Sequence, residues 1–283
     1  MPRFLRCAPL LLWLLAGAIP AAAAAPARIV SLSPHITELF FAVGAGGRLV
    51  GVDAWSDYPA EARSIQRVGD VFAIDIERLL ALRPDLIVYW KSGTPQRQQQ
   101  QLQGLHLNLL GTEQRHLADI ESALREFGRI TDNAANGDRA ATRFREQRQS
   151  LAARYADRAR LTVFYQVWDR PLYTLNGEHV VNEVLDVCGG RNVFGDLTGL
   201  APVVDVESVL ARNPDVIIIA ATGAEGARQA GAWSRYPDIR AVRERHVYML
   251  DPDLLNRMSP RILGGVEALC GVLDQARAST GAR

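Results

Sequence analysis

Apolar positions along this chain fall into short β-branched runs that alternate with stretches of helical spacing. Arg28 to Leu32, Leu49 to Val52, Leu86 to Tyr89, Leu161 to Val167, Val216 to Ala220 and His246 to Leu250 each read as a strand. Continuous apolar runs of this length suit a parallel sheet covered on both faces. Helical spacing follows from about Ile36 to Val43 and from about Val180 to Cys188, and Gly189-Gly190 closes the second helix. Strands and helices in alternation predict open parallel sheets.

One stretch occurs twice. Residues 75–88, D-I-E-R-L-L-A-L-R-P-D-L-I-V, match residues 205–218, D-V-E-S-V-L-A-R-N-P-D-V-I-I, at seven of fourteen positions. Each copy reads as an Asp cap, a short helix with Glu in its first turn, a Pro-Asp break and a buried strand. A single offset of 130 residues predicts two related lobes. Between them, Ala134 to Arg158 is rich in Ala, Arg, Gln and Glu and contains no proline, and Phe144, Leu151 and Tyr155 form one apolar stripe. That composition predicts a stiff rod of roughly 37 Å at about 1.5 Å per residue, which permits only small rocking of the lobes. The expected fold is α/β: two Rossmann-like lobes with mainly parallel sheets, 26–130 and 160–283, joined by one long backbone helix within 131–159.

The first 25 residues change the compartment. Arg3 and Arg6 precede an apolar core, Leu10 to Ile19, and the run Ala21 to Ala25 offers A-x-A cleavage sites. This is the pattern of a secretory signal peptide, shorter than a membrane anchor requires. Cys7 lies before the apolar core, unlike a lipoprotein cysteine. Cleavage leaves Cys188 and Cys270, and an exported chain meets an oxidising compartment, which favours a disulfide over a metal site. Hydrophobic content of 48%, charged content of 22% and a formal charge of +1 describe a globular chain without a broad basic footprint for nucleic acid.

Catalytic signatures are missing. The sequence has no G-x-S-x-G, no phosphate-binding G-x-x-x-x-G-K-[ST], no H-E-x-x-H and no G-x-G-x-x-G after a strand. An enzyme is therefore not expected. The five histidines show no ligand spacing, so no metal site is expected either. His35 stands apart because Ser33-Pro34-His35 sits where the first strand meets its helix, and open α/β sheets bind ligands at such strand ends. Aromatic residues recur at similar places: Trp55, Tyr89, Trp90, Trp168 and Tyr173. They are either core fillers or a row suited to a large, flat, partly apolar ligand. Asp251, Asp253 and Arg257 follow the last strand, as solvated loop charges or as partners for polar edges of that ligand.

R-I-V-S-L-S-P-x-x-T-E-L at 28–39, G-V-D-A-W-S-D-Y-P at 51–59, the paired D-x-E-x-x-L-A-x-x-P-D, V-C-G-G-R-N-V-F at 187–194 and R-M-S-P-R-I at 257–262 resemble the cobalamin-binding proteins of ABC importers. These form a branch of the helical-backbone class of periplasmic binding proteins. The resemblance spans about residues 27 to 278. It implies a periplasmic, monomeric protein that holds cobalamin, or a related corrinoid, between two lobes and needs no catalytic cofactor. The family's aromatic contacts fall on Trp55 and Trp90, and its C-terminal contact stretch on Asp253, Leu254, Leu255, Asn256 and Arg257. Leu254 and Leu255 replace aromatics, and Ala201 stands where a Trp is expected, with Trp168 or Tyr173 available to compensate. The family's bridged cysteines match Cys188 and Cys270. Its two docking glutamates, which meet the paired membrane subunits of the ABC transporter, match Glu77 and Glu207. The same class includes haem and ferric-siderophore binders, for which His35, Tyr89 and Tyr173 are the candidates over iron.

Overall fold

The structure is a computed structural model that describes residues 24–281. The leader expected over 1–25 lies, but for its last two residues, outside the described residues. Strands β1 (Ile29–Ser31), β2 (Leu49–Val52), β3 (Leu86–Trp90) and β4 (Leu109–Thr112) form a parallel sheet in the order β2-β1-β3-β4. Ile29 lies opposite Leu49 on one side and Leu86 on the other. Helices α1 (Pro34–Ala42), α2 (Ile76–Ala81), α3 (Gln96–Gln103) and α4 (Leu117–Ile130) accompany this sheet, and α5 (Ala134–Tyr155) leaves it.

The second lobe contains β5 (Leu161–Gln166), the short hairpin β6 (Trp168–Asp169) and β7 (Leu172–Tyr173), α6 (Val181–Val187), β8 (Gly190–Asn192) and α7 (Val206–Arg212). It continues with β9 (Val216–Ala220), α8 (Gly223–Trp233), α9 (Arg240–Arg243), β10 (Val247–Leu250), α10 (Pro252–Leu255) and α11 (Ile262–Gly281). Its main sheet is parallel, in the order β10-β9-β5-β8. In both lobes the opening strand is central, and the strand after the repeated helix lies beside it. The repeat in sequence is therefore a repeat in topology.

Local chemistry explains the repeat. Asp75 and Asp205 cap α2 and α7 by accepting hydrogen bonds from Arg78 N at 3.0 Å and Ser208 N at 2.7 Å. Arg83 and Asn213 then take left-handed φ angles of 44° and 45°, which turn the chain out of the helix. The aspartates of the Pro-Asp pairs do more than follow the break. Asp85 accepts from Ala27 N and Arg28 N at 2.9 Å, and Asp215 accepts from Thr162 N at 2.7 Å. Each thereby pins the start of its lobe's central strand.

Helix α5, 22 residues long, packs against α4 on one side and α6 and α11 on the other. It crosses α4 closely, because Gly128 and Gly137 meet there: a Cβ on Gly128 would stand 2.8 Å from Gly137 Cα. Phe144 and Leu151 are buried on its inner face, with Tyr155 partly buried beside them. One apolar core runs from Phe40 and Phe127 through Phe144 and Leu151 to Val184 and Leu269. Cys188, at the end of α6, is bonded to Cys270 in α11, a separation of 82 residues.

Candidate functional site

Where the lobes meet, the centre of the chemistry is Arg257, in the turn after α10. Its guanidinium reaches Asp57 at 2.7 Å and Glu38 at 3.1 Å on the N-terminal lobe, and Asp253 at 2.8 Å on its own side. It also donates to the Trp55 carbonyl at 3.4 Å. Glu38 projects from α1 and is 4% exposed. It accepts in addition from Arg261 Nη1 at 3.0 Å and from the Ser259 hydroxyl. Arg261 in turn lies over the Tyr58 ring, 3.9 Å from its centroid.

These contacts set the charges. Burial works against the Arg257 cation, but its bonds to Asp57 and Glu38 outweigh burial and hold it firmly protonated. Burial also resists ionisation of Asp57, yet the Arg257 bond and charge hold that carboxyl below the usual range. Asp253 lies above its usual value: burial raises it, Arg257 opposes, and the Asp57 and Asp251 carboxylates add to the rise. The arrangement is a cation shared by three carboxylates at the junction of two lobes. It favours the charge of Asp57 and disfavours that of Asp253.

Trp55 follows β2 and is 68% exposed beside this cluster, and Trp168 opens the β6–β7 hairpin at 58% exposure. Tyr173 pairs across the hairpin with Trp168 and is half-buried. Trp90 ends β3, half-buried, with its Nε1 donating to Glu113 Oε1 at 3.1 Å. It lines a small interlobe cavity with Gln114, Glu178, Val180 and Met258. No hydrogen bond or ion pair among the described residues joins Trp168 and Tyr173 to the Arg257 cluster. Leu254 is half-buried in α10, and Asn256 accepts from the Tyr165 hydroxyl at 2.9 Å. A cavity of about 450 Å3 lies within the C-terminal lobe between the hairpin and α8.

Two expected contacts are corrected. His35 does not face the cleft. It is buried at the start of α1, bonded to the Ser33 hydroxyl at 2.8 Å and edge-on beneath the Trp90 ring at 5.3 Å. Burial pushes its pKa down to about 3, so the ring stays neutral and supports Trp90 from below. Leu255 is fully buried, because the helical period of α10 turns it inward against Gly265. Glu38, Asp57, Ser259 and Arg261 escaped the sequence reading. A carboxylate amid the apolar run P-H-I-T-E-L-F-F was the visible signal for Glu38. Its partner arginine lies 219 residues away, which no local pattern reveals. Glu77 and Glu207 lie in the first turns of α2 and α7, exposed and outside the cluster.

Residues 29–254 match the family model described as periplasmic binding protein. A vitamin B12-binding protein of Vibrio cholerae is 36% identical over 250 residues, which cover 88% of this chain and 90% of that protein. The crystal structure of a periplasmic vitamin B12 binding protein of Vibrio cholerae superposes with a TM-score of 0.83 at 35% identity, covering 89% and 98% of the two chains. A periplasmic heme binding protein from Pseudomonas aeruginosa superposes with a TM-score of 0.75 at 25% identity, covering 87% and 91%.

Proposed function

The chain belongs to the periplasmic binding protein family, and from that premise we propose that it captures cobalamin, or a related corrinoid, between its two lobes and delivers it to an ABC transporter. The observation that carries this reading is the junction of the lobes: Trp55 left exposed after β2 beside an arginine shared by carboxylates of both lobes, with Trp168 exposed on the second lobe. A flat macrocycle can lie on Trp55, Trp90, Trp168 and Tyr173, whose rings offer apolar faces with little conformational entropy to lose. Its amide edges can meet Asp253, Leu254, Asn256 and Arg257, with Arg257 donating and Asp253 accepting.

In this reading residues 26–130 and 160–283 act as two jaws on the bridge 131–159. The leader is removed at export near Ala25, and the mature protein works as a monomer in the periplasm. Glu77 and Glu207 meet the two membrane subunits of the transporter and take no part in ligand binding. The likeness to vitamin B12-binding proteins over nearly nine-tenths of the chain supports the corrinoid over haem. So does the burial of His35, which removes the histidine candidate for an iron ligand.

The test is direct. Purified mature protein is incubated with cobalamin, haem and a ferric siderophore in turn, desalted, and its absorbance spectrum recorded. Retention of cobalamin alone, with stoichiometric quenching of tryptophan fluorescence, is the expected result. Retention of haem or siderophore and not cobalamin overturns the assignment.

A further inference from the structure

Seven positions are identical between the two copies of the repeat, and the fold accounts for four of them. Asp75 and Asp205 cap helices, and Asp85 and Asp215 pin the opening strands. Pro84 and Pro214 break helix from strand, and Ile87 and Ile217 are fully buried in the sheets. The remaining three pairs are Glu77 and Glu207, Leu80 and Leu210, and Ala81 and Ala211. All six residues are exposed.

Packing does not explain these three. The residues that α2 and α7 bury are Leu79 and Val209, while Leu80 and Leu210 remain 44% and 41% exposed. Glu77 and Glu207 make no hydrogen bond or ion pair among the described residues. At spacings i, i+3 and i+4, the glutamate, leucine and alanine share one helix face. A second apolar residue stands exposed just before each cap, Phe72 in one lobe and Val203 in the other. Single exposed leucines are ordinary, but the same leucine beside the same unpaired carboxylate in both lobes is not scatter.

We infer that each lobe presents one and the same compound contact, a carboxylate flanked by a leucine and an alanine, to a partner that carries two matching acceptors related by a two-fold axis. Each acceptor pairs a cationic side chain with an apolar wall. The inference rests on the transporter reading above and narrows it: the membrane subunits meet α2 and α7 through apolar contact as well as charge. The leucine keeps water from the ion pair, which strengthens the attraction by lowering the local dielectric. The alanine lets the partner approach the helix closely. Burial of the leucine is insensitive to salt, whereas the ion pair is screened by it.

The experiment measures association of the ligand-loaded protein with its cognate transporter in lipid nanodiscs, at low and high salt. Three double variants are compared: Leu80→Ser with Leu210→Ser, Ala81→Gln with Ala211→Gln, and Glu77→Gln with Glu207→Gln. The leucine and alanine pairs are expected to weaken association by about tenfold or more at both salt concentrations. The glutamate pair is expected to weaken it and to flatten its salt dependence. Cobalamin affinity and thermal unfolding should match wild type in all three. Wild-type association of the leucine and alanine pairs overturns the inference. If the glutamate pair alone loses association, charge docking stands and the apolar contact falls; if all three bind normally, the docking reading falls with it. Should the leucine pair fold poorly, the alanine pair, on an exposed helical surface, carries the same decision.

Discussion

An indole as exposed as Trp55 contributes little to the fold, so its truncation separates binding from stability. Trp55→Ala is expected to weaken corrinoid binding by about 1–3 kcal/mol, as for aromatic anchors at interfaces, with an unchanged thermal midpoint. Calorimetric titration checks this, and wild-type affinity in the folded variant would remove Trp55 from the ligand site. His35 illustrates the opposite case. His35 is buried and His179 half-buried, and desolvation lowers their pKa values from 6.5 to about 3 and about 4. The unfolded chain therefore takes up their protons first. The stability they confer is complete above pH 6.5 and falls as pH drops toward those lower values, by about 1.4 kcal/mol per pH unit for each group. Denaturant melts between about pH 7 and pH 5 should show that slope, and His35→Asn should flatten it by one group's share. A slope unaffected by the substitution removes His35 from the account. Strings such as W-S-D-Y-P located Trp55, and R-M-S-P-R-I located Arg257. They do not say which way each side chain turns, so His35 and Leu255, expected at the cleft, lie instead in the core.

Helices and strands were legible wherever an apolar run or a cap marked them. β2 matches its apolar run residue for residue, and β3 and β9 follow theirs closely, because those strands are buried on both faces. β8, with the sequence G-R-N, carries no apolar signal, and its place at the sheet edge is set by pairing with β5. The two-residue strands of the β6–β7 hairpin are too short to show a period. The join between α6 and α11 could be argued from compartment and cysteine count before any geometry was known. Because the Cys188–Cys270 bridge closes a loop of 82 residues, the double variant Cys188→Ala, Cys270→Ala should lose on the order of 4 kcal/mol of stability in the chain-entropy account. Urea unfolding with and without reductant measures it. A midpoint unmoved by reduction would mean that the packing of α6 on α11 already supplies the constraint.

At the scale of the whole molecule, two kinds of force hold the lobes together. One is the continuous apolar core around α5. The other is a set of polar bridges: Glu38 with Arg257, Arg261 and Ser259, and Glu183 with the Leu117 amide at 2.8 Å and the His116 ring. The repeat and the proline-free segment announce two lobes on a rod; the bridges are invisible because their partners lie 66 or more residues apart, and those of Glu38 more than 200. Glu38→Gln separates the two forces. The amide preserves size and hydrogen bonding to Ser259 but leaves Arg257 and Arg261 without their shared buried carboxylate, so stability should fall by about 3 kcal/mol. Lobe spacing should not change, because Phe144 and Leu151 still bind α5 to both sheets. Solution X-ray scattering of wild type and variant should therefore superimpose, with and without cobalamin. An expanded profile for the variant would assign the spacing to the Glu38 bridge and make α5 a flexible tether. Superimposable profiles together with the loss of stability would mean that the Glu38 bridge adds stability at the junction while the apolar core around α5 sets the spacing of the lobes.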